Sequence, residues 1–322
     1  MKPLLPSSQN SISLLLSTLT LRSQLHLHSL SLRPFSSIST NKAKWNSTTN
    51  VIITKPTLLT MESCTNMLQL KQIQAQMTRT ALITYTFPMS PVLAFCALAD
   101  FGDIQYARVL FSQIERPNTY MWNTMIRGYC KAKIPTMGFS FFRQIAQECV
   151  EMDRRSFIFV LKACEQFCIV LEGQSVHCWV WKMGFDLDLV VRNGLVYFYA
   201  ERGYLDFAHE VFDQSFVRDV VTWTSMIDGY VVHNCSKEAL KLFNLMLMND
   251  VEPNEVTMIV VLSVCSLKGD LNMGKSIHKY IKKRNVNYSL NLQNTMLDMY
   301  VKCGCLVTAR EILDDVKTRD LF

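Results

Sequence analysis

Internal repetition at a spacing of 101 residues is the feature that most constrains the fold of this chain. The segment Trp122–Tyr129 returns as Trp223–Tyr230, with Trp, Met, Ile, Gly and Tyr at matched positions. The same spacing relates further identical pairs: Cys164 and Cys265, Gly173 and Gly274, His177 and His278, Asn193 and Asn294, Gly203 and Gly304. Similarity that holds one spacing over such a distance indicates a repeat architecture rather than two independent globular domains.

Each 101-residue unit divides into three weaker sub-repeats of 35, 35 and 31 residues, and each of these contains two apolar-periodic stretches. Trp223, Met226, Ile227 and Tyr230, for example, follow the spacing of one face of a helix. Gly203 and Gly304 are expected between the two helices of their pieces, and the Pro of Glu252–Asn254 is expected to close a second helix. One such hairpin cannot bury both of its apolar faces. The sequence therefore predicts an all-α fold, an α-solenoid of either hand made of stacked helix-turn-helix motifs.

The first forty residues have the composition of a targeting segment. They contain eleven Ser and eleven Leu, their fixed charges are Lys2, Arg22 and Arg33, and no acidic residue occurs before Glu62. This composition favours an organellar transit peptide over a secretory signal, which needs one compact apolar block. Arg33 followed by Phe35 resembles a plant mitochondrial cleavage pattern, so cleavage is expected after Phe35, with a chloroplast address as the alternative. The leader carries three of the positive charges behind the net charge of +6.

Composition excludes two broad classes of protein. Hydrophobic residues make up 49% of the chain, which excludes wholesale disorder. No run of 18 apolar residues occurs, so no membrane-spanning helix is expected and no membrane partner is predicted. Eleven Cys residues suggest metal or disulfide sites, but none forms a Cys-x-x-Cys pair, and buried free cysteines in the core are the favoured interpretation. No metal ion or cofactor is expected.

The repeats resemble the pentatricopeptide repeat (PPR) family of plant organelles, and more narrowly its PLS subclass of long and short motifs. Three segments, in this order along the subclass pattern, are similar to its P, L and S signatures: Val220–Tyr230 with Glu238–Phe243, Val160–Cys164 with Gly173–His177, and Met299–Gly304 with Ala309–Arg310. The resemblance covers about residues 52 to 320. It implies a transit peptide at 1–40, a linker at 41–53, a degenerate L motif at 54–85, S motifs at 86–118, 189–219 and 290–320, P motifs at 119–153 and 220–254, and L motifs at 154–188 and 255–289.

The resemblance implies sequence-specific binding of single-stranded organellar RNA, and not of DNA, with one base per repeat. In the family, the fifth residue of a motif and its last residue read the base. Here these base-reading pairs are Ser90 with Asn118, Asn123 with Asp153, Asn193 with Asp219, Thr224 with Asn254, and Asn294 with Asp320. The family code assigns Asn with Asp to uridine, then cytidine, and Thr or Ser with Asn to adenosine. The second residue of each motif is implied to flank the bases: Phe87, Tyr120, Val190, Val221 and Asn291.

The two complete L motifs place Ile158 and Ile259 at the fifth position, where an aliphatic side chain cannot hydrogen-bond a base. These repeats are expected to act as spacers between the base-reading repeats and not to recognise a base themselves. The predicted target, from 5′ to 3′, is A, U or C, any base, U or C, A, any base, U or C.

An intrinsic enzyme is not expected. The zinc deaminase domain of many relatives in this subclass requires His-x-Glu and a later Cys-x-x-Cys, and neither pattern occurs in this sequence. The implied role is recognition of C-to-U editing sites, with a deaminase or other editing factors supplied in trans, or RNA processing. The alternative is a protein-binding helical scaffold or a truncated, non-functional paralogue.

Overall fold

The structure is a computed structural model that describes residues 64–167, 170–284 and 289–319. Within these ranges the chain forms fifteen α-helices and a 3₁₀ turn at Leu82–Thr84, without a β-strand. The helices are α1 (Met67–Arg79), α2 (Thr86–Leu98), α3 (Ile104–Ser112), α4 (Thr119–Lys131), α5 (Pro135–Gln147), α6 (Arg154–Phe167), α7 (Val170–Lys182), α8 (Leu189–Glu201), α9 (Leu205–Asp213), α10 (Val220–Val232), α11 (Ser236–Met248), α12 (Glu255–Lys268), α13 (Leu271–Arg284), α14 (Leu290–Lys302) and α15 (Leu306–Arg319).

From α2 onwards the helices alternate between two roles. The even-numbered helices α2 to α14 each pack against the even-numbered helix of the next repeat, and the odd-numbered helix of each repeat packs against its own first helix. We refer to the even-numbered set as the first helices, because each opens a repeat. Contacts between successive first helices extend the core from repeat to repeat. The predicted all-α solenoid of stacked helix-turn-helix motifs is confirmed.

The amino-terminal expectations fall largely outside the described residues. The transit peptide at 1–40, its cleavage after Phe35 and the linker at 41–53 all lie there, as does the start of the degenerate L motif at 54–85. The described part of that motif contains α1 and the 3₁₀ turn. No helix among the described residues is long and apolar enough to span a membrane.

The turns follow the sequence signals at glycine but not at proline. Gly203 and Gly304 lie between the helices of their repeats with φ of 78° and 76°, the left-handed region that favours glycine. The expectation that Glu252–Asn254 closes a second helix is wrong. Helix α11 ends earlier, at Met248, and Asp250 takes a left-handed φ of 56° before the proline is reached.

Repeated aromatic residues fill the core in the same way in both units. Trp122 and Trp223 are each almost completely buried and meet Phe111 and Phe212 edge to face, with ring centroids 4.6 and 4.9 Å apart. Such pairs add to the stabilisation from apolar burial. The 101-residue spacing is therefore a spacing between equivalent core positions.

Glycine permits the closest contact between first helices. A Cβ placed on Gly229 of α10 would lie 2.4 Å from the Cβ of Ala200 on α8. Gly128, which lies 101 residues earlier, faces Ala97 of α2 in the same manner, with a separation of 2.8 Å. Real Cβ atoms do not approach so closely, so this packing requires glycine at both positions.

A histidine–tyrosine hydrogen bond joins α7 to α8, and an equivalent bond joins α13 to α14. The Nδ1 of His177 lies 3.1 Å from the hydroxyl of Tyr199, and the Nδ1 of His278 lies 2.8 Å from that of Tyr300. Both contacts lie between packed helices, as expected for residues that recur with the repeat. Burial, followed by the nearby charge of Arg192, lowers the pKa of His177 to about 4.

This lowered pKa predicts a loss of stability in mild acid. The unfolded chain binds a proton at His177 with the ordinary pKa of about 6.5, so protonation favours unfolding as the pH falls from about 6.5 towards 4. The melting temperature of the native chain should therefore fall between pH 7 and pH 5 by more than that of His177→Gln, which does not titrate. Thermal melts of both proteins at the two pH values test this. Parallel curves would contradict it.

Candidate functional site

All five predicted fifth-position residues lie on first helices, and three of them are buried. Asn123 on α4, Asn193 on α8 and Thr224 on α10 are only 4%, 8% and 8% exposed. Ser90 on α2 is half-buried, whereas Asn294 on α14 is exposed. A buried amide or hydroxyl needs a hydrogen-bond partner, so the contacts of these side chains decide what they can offer to a ligand.

Four of the five predicted last residues, those within the described ranges, also cap the first helix of the following repeat. The Oδ1 atoms of Asp153, Asp219 and Asn254 accept hydrogen bonds from the backbone N–H three residues later, at 2.9, 2.9 and 3.0 Å. Asn118 does the same at the start of α4, at 3.0 Å. Small polar residues are favoured at this position by capping alone. Sequence reasoning missed this second role.

Two of the five predicted pairs are joined directly. The Nδ2 of Asn123 donates to the Oδ1 of Asp153, and the Nδ2 of Asn193 donates to the Oδ1 of Asp219, each over 3.0 Å. In both pairs, a side chain from the first helix of one repeat meets the cap of the next. The amide and carboxylate therefore form one polar unit across a repeat boundary.

A third pair is bridged by a threonine that sequence reasoning did not single out. The hydroxyls of Thr224 and Thr257 are 2.6 Å apart, and the Thr257 hydroxyl donates to the Oδ1 of Asn254 over 2.9 Å. Thr257 is the third residue of its repeat and is completely buried. Thr222 holds the equivalent position and bonds Asn193, and Ser156 holds it in the repeat after Asn123, where its hydroxyl donates to the Oδ1 of Asp153. The Asp-x-x-Ser/Thr and Asn-x-x-Thr capping patterns could have identified all three.

No hydrogen bond is described within the remaining two pairs, Ser90 with Asn118 and Asn294 with Asp320. The Ser90 hydroxyl donates to the backbone carbonyl of Thr86 over 2.8 Å, and the described residues contain no hydrogen bond between Ser90 and Asn118. The partner predicted for Asn294, Asp320, lies outside the described residues. The structure therefore brings together three of the five predicted pairs.

The predicted base-flanking residues are exposed on the first helices. All five are exposed, with Phe87 at 66% and Tyr120 at 49%. The full set is Phe87, Tyr120, Val190, Val221 and Asn291. The second residues of the two L motifs, Arg155 and Val256, are exposed as well and were missed because those repeats were expected to space only. Exposed aromatic and aliphatic side chains can contact the flat face of a ring.

One pair lies in a small pocket with positive charge at its edge. The Arg127 guanidinium lies over the ring of Phe159, 5.1 Å from its centroid, and the Oδ1 of Asn123 is buried with no hydrogen-bond partner. An unpartnered buried oxygen costs free energy unless a ligand or water donates to it. The pocket is lined by Tyr120, Asn123, Thr124, Arg127, Asp153, Arg155 and Phe159.

The carboxylate of Asp219 is held in its charged form. Burial raises its pKa, but hydrogen bonds from Thr222, Asn193 and Val221 outweigh burial, and the pKa lies below the ordinary value. Asp219 is therefore an ionised hydrogen-bond acceptor at neutral pH.

The two repeats that were expected to be L motifs differ at the matching positions. Ile158 and Ile259 are half-buried, and the neighbouring Asp188 and Ser289 cap α8 and α14 through their side chains. An isoleucine offers no hydrogen-bonding group to a ligand. Within the described ranges no group of His, Cys, Asp and Glu side chains has the arrangement of a metal site.

The cysteines of the described residues are free thiols. Four of them are buried within first helices: Cys96, Cys130, Cys164 and Cys265. Burial raises the pKa of the Cys164 thiol to about 12, and that of Cys265 likewise to about 12. These thiols are therefore protonated and unreactive near neutral pH.

Comparison with sequence families identifies the repeats in three places. The PPR repeat family matches residues 218–267, and the PPR repeat matches residues 120–150 and 294–321.

Curated relatives from Arabidopsis thaliana extend this similarity along the chain. A mitochondrial pentatricopeptide repeat-containing protein is 35% identical over 280 residues, which cover 86% of this chain and 41% of the relative. Another, chloroplastic and mitochondrial, is 36% identical over 272 residues, which cover 81% of this chain and 42% of the relative. The chain thus spans less than half the length of these relatives.

Solved structures share the fold. The pentatricopeptide repeat protein PPR10 in complex with an 18-nt psaJ RNA element has a TM-score of 0.62 at 12% identity, covering 97% of this chain and 43% of that one. PPR10 from maize has a TM-score of 0.50 at 16% identity, covering 81% and 42%.

Proposed function

Because this chain is built from pentatricopeptide repeats, we propose that it is a sequence-specific single-stranded RNA-binding protein of a plant organelle. The observation that carries the proposal is the recurring combination of a recessed polar pair and exposed second-position side chains. The combination is most complete around Asn123, Asn193 and Thr224. A solvated helix surface needs no such buried, cross-repeat hydrogen bonds.

The chemistry of the pairs fits bases with free Watson–Crick edges. In the Asn–Asp pairs, the amide nitrogen has a second proton to donate and the carboxylate has a second oxygen to accept. Uracil presents a carbonyl acceptor beside its N3–H donor. Cytosine presents an acceptor nitrogen beside its amino donor, so it can meet the same two groups. The repeats that contain Ile158 and Ile259 add length without a polar contact.

The proposed cellular role follows the relatives. Relatives carry mitochondrial and chloroplastic names, and the leader composition favours the mitochondrion, with the chloroplast as the alternative. We propose participation in organellar RNA modification, through recognition of C-to-U editing sites with a deaminase or editing factors supplied in trans, or in RNA processing. The PLS motif order supports the editing role.

The direct test is binding of the chain to the RNA heptamer 5′-A-U-N-U-A-N-U, placed within a longer unstructured strand. We expect tighter binding than to a scrambled strand of the same composition. Each of Asn123→Ala, Asn193→Ala and Thr224→Ala should weaken binding about five- to tenfold, since each removes a hydrogen bond to a base. Gel shifts at fixed salt give the affinities, because phosphate contacts make affinity depend strongly on ionic strength.

Gln144→Ala, an exposed polar substitution on the second helix α5, is the matched control and should bind like the native chain. Equal affinity for the heptamer and the scrambled strand would overturn the proposed specificity. Absence of any salt-sensitive RNA binding would favour a protein-binding scaffold instead.

A further inference from the structure

We propose that Thr222 and Thr257, the third residues of their repeats, are positioning residues that fix which way each reading pair donates and accepts hydrogen bonds. This inference rests on the proposed RNA-binding function and deepens it. Both threonines are completely buried, so neither can touch a base. Each acts through the reading residues of the preceding repeat. The reading unit is then a set of three side chains rather than two.

The distribution of hydroxyl groups along the chain supports a shared role. The third residue is Ser156, Thr222 or Thr257 in the repeats that follow Asn123, Asn193 and Thr224. It is Val191 or Leu292 in the repeats that follow Ile158 and Ile259. A hydroxyl is therefore present where the preceding fifth residue is recessed and polar, and absent where that residue is aliphatic.

The repeat that begins at residue 86 shows a polar fifth residue that is not followed by a hydroxyl at the third position of the next repeat. Its fifth residue, Ser90, is followed by the apolar Met121 at the third position of the next repeat. There the Ser90 hydroxyl donates to the carbonyl of Thr86 in its own helix. Without a hydroxyl at position 121, no group directs the serine towards the cap, Asn118.

Thr257 sets the direction of hydrogen bonding in one pair. Its backbone N–H and its hydroxyl both donate to the Oδ1 of Asn254, at 3.0 and 2.9 Å. The amide oxygen is thereby occupied and the NH₂ group of Asn254 is left to donate. The Thr257 hydroxyl has used its only proton, so in the 2.6 Å contact it accepts from Thr224. Thr224 is left with lone pairs only.

The pair of Thr224 and Asn254 therefore presents one acceptor and one donor. Adenine offers the complement, an N6 amino donor beside the N1 acceptor. Guanine offers the reverse, an O6 acceptor beside the N1–H donor. The hydroxyl of Thr257 thus accounts for discrimination between two purines of similar size.

Thr222 orients its pair in the opposite sense, with the fifth residue as the donor and the last residue as the acceptor. Its hydroxyl lies 2.6 Å from the Oδ1 of Asn193 and 2.9 Å from the Oδ1 of Asp219, and the shorter bond occupies the amide oxygen. This bond fixes the amide of Asn193 with its nitrogen towards Asp219, where one proton is donated over 3.0 Å. The second amide proton and the second carboxylate oxygen remain for the base.

The decisive variant is Thr257→Val, which keeps the shape of the side chain and removes the hydroxyl. We measure competition between RNA heptamers with A or G at the base read by Thr224 and Asn254. The preference for A over G should fall about tenfold, whereas the preferences at the other positions stay unchanged. A purely structural role would weaken all sequences equally. An unchanged A-to-G ratio in a folded variant would overturn the proposal.

Two controls separate this effect from general damage. Ser215→Ala removes a buried hydroxyl that bonds only to the carbonyl of Val211, and it should leave every base preference unchanged. Val191→Thr places a hydroxyl after the aliphatic Ile158 and should create no base preference there. A preference at that base would contradict the proposed dependence on a polar fifth residue.

A second measurement needs no RNA. In ¹⁵N-labelled native protein, the two side-chain amide protons of Asn193 should give separate signals, one of them protected from exchange by Asp219. In Thr222→Val these signals should move and the protected proton should exchange faster. Unchanged signals would overturn the inference. If the native chain shows no RNA selectivity, the proposed function fails, and this measurement still decides whether Thr222 orders the pair.

Discussion

The double substitution Asn193→Thr with Asp219→Asn is expected to change the preferred base of its repeat from uridine to adenosine. The two changes copy the side chains of Thr224 and Asn254 onto a site that already has a buried threonine, Thr222, in the position of Thr257. All three members of the adenosine-reading set are then present. The ratio of affinities for A and U at that base should shift about 100-fold in favour of A, since one base contact is worth ~1–3 kcal/mol.

Competition gel shifts with heptamers that differ only at that base measure this ratio. The two single substitutions are the controls, and each should lower affinity for uridine without creating a strong preference for adenosine. Adding Thr222→Val to the double substitution should reduce the gained preference, because the third hydroxyl is lost. Retention of the uridine preference in the double variant would contradict the assignment of Asn193 and Asp219 as the reading pair.

Replacement of Gly229 by Ala should cost about 2–3 kcal/mol of folding stability. The added Cβ would lie 2.4 Å from the Cβ of Ala200 and 3.1 Å from its Cα, so the helices α8 and α10 must move apart. The strain outweighs the gain of ~1 kcal/mol that alanine brings to a helix interior over glycine. Thermal and denaturant unfolding measure the change.

The chain offers a matched control on the neighbouring first helix. A Cβ on Gly194 of α8 would meet nothing closer than the Cδ1 of Leu161 at 3.4 Å, so Gly194→Ala should stabilise by up to ~1 kcal/mol. Ala200→Gly combined with Gly229→Ala should recover part of the loss, because it removes the opposing methyl group. Stabilisation by Gly229→Ala alone would show that the helices do not pack this closely.

The fold was predictable because its core repeats in the sequence. Trp122 and Trp223 recur with the same aromatic partners, and the glycines that permit close helix packing recur with them. Periodic apolar residues identify such positions without any knowledge of distant contacts. The end of α11 was not predictable from Pro253, since the left-handed residue Asp250 stops the helix first.

The candidate site was predictable only in part, because its hydrogen bonds cross repeat boundaries. The resemblance supplied fifth and last residues, and a capping pattern can place Thr222 and Thr257 beside the last residues. Nothing in the linear sequence shows that these threonines also lie against the fifth residues of the preceding repeat. The same limit applies to Ser90, whose hydroxyl can bond either a cap residue or its own helix. Only the packed structure distinguishes these outcomes, and it places that hydroxyl on the Thr86 carbonyl.

The last residue of each repeat begins the next helix, and this constrains how such a chain can diverge after duplication. At Asp153, Asp219 and Asn254 the same oxygen that belongs to the proposed reading pair also accepts the capping hydrogen bond. Only a few side chains cap a helix well. A substitution at these positions must therefore preserve folding, and exchange between Asn and Asp is one single-nucleotide change that keeps a capping side chain. New target sequences should therefore arise through exchanges among capping side chains at the last residue and through changes at the fifth residue.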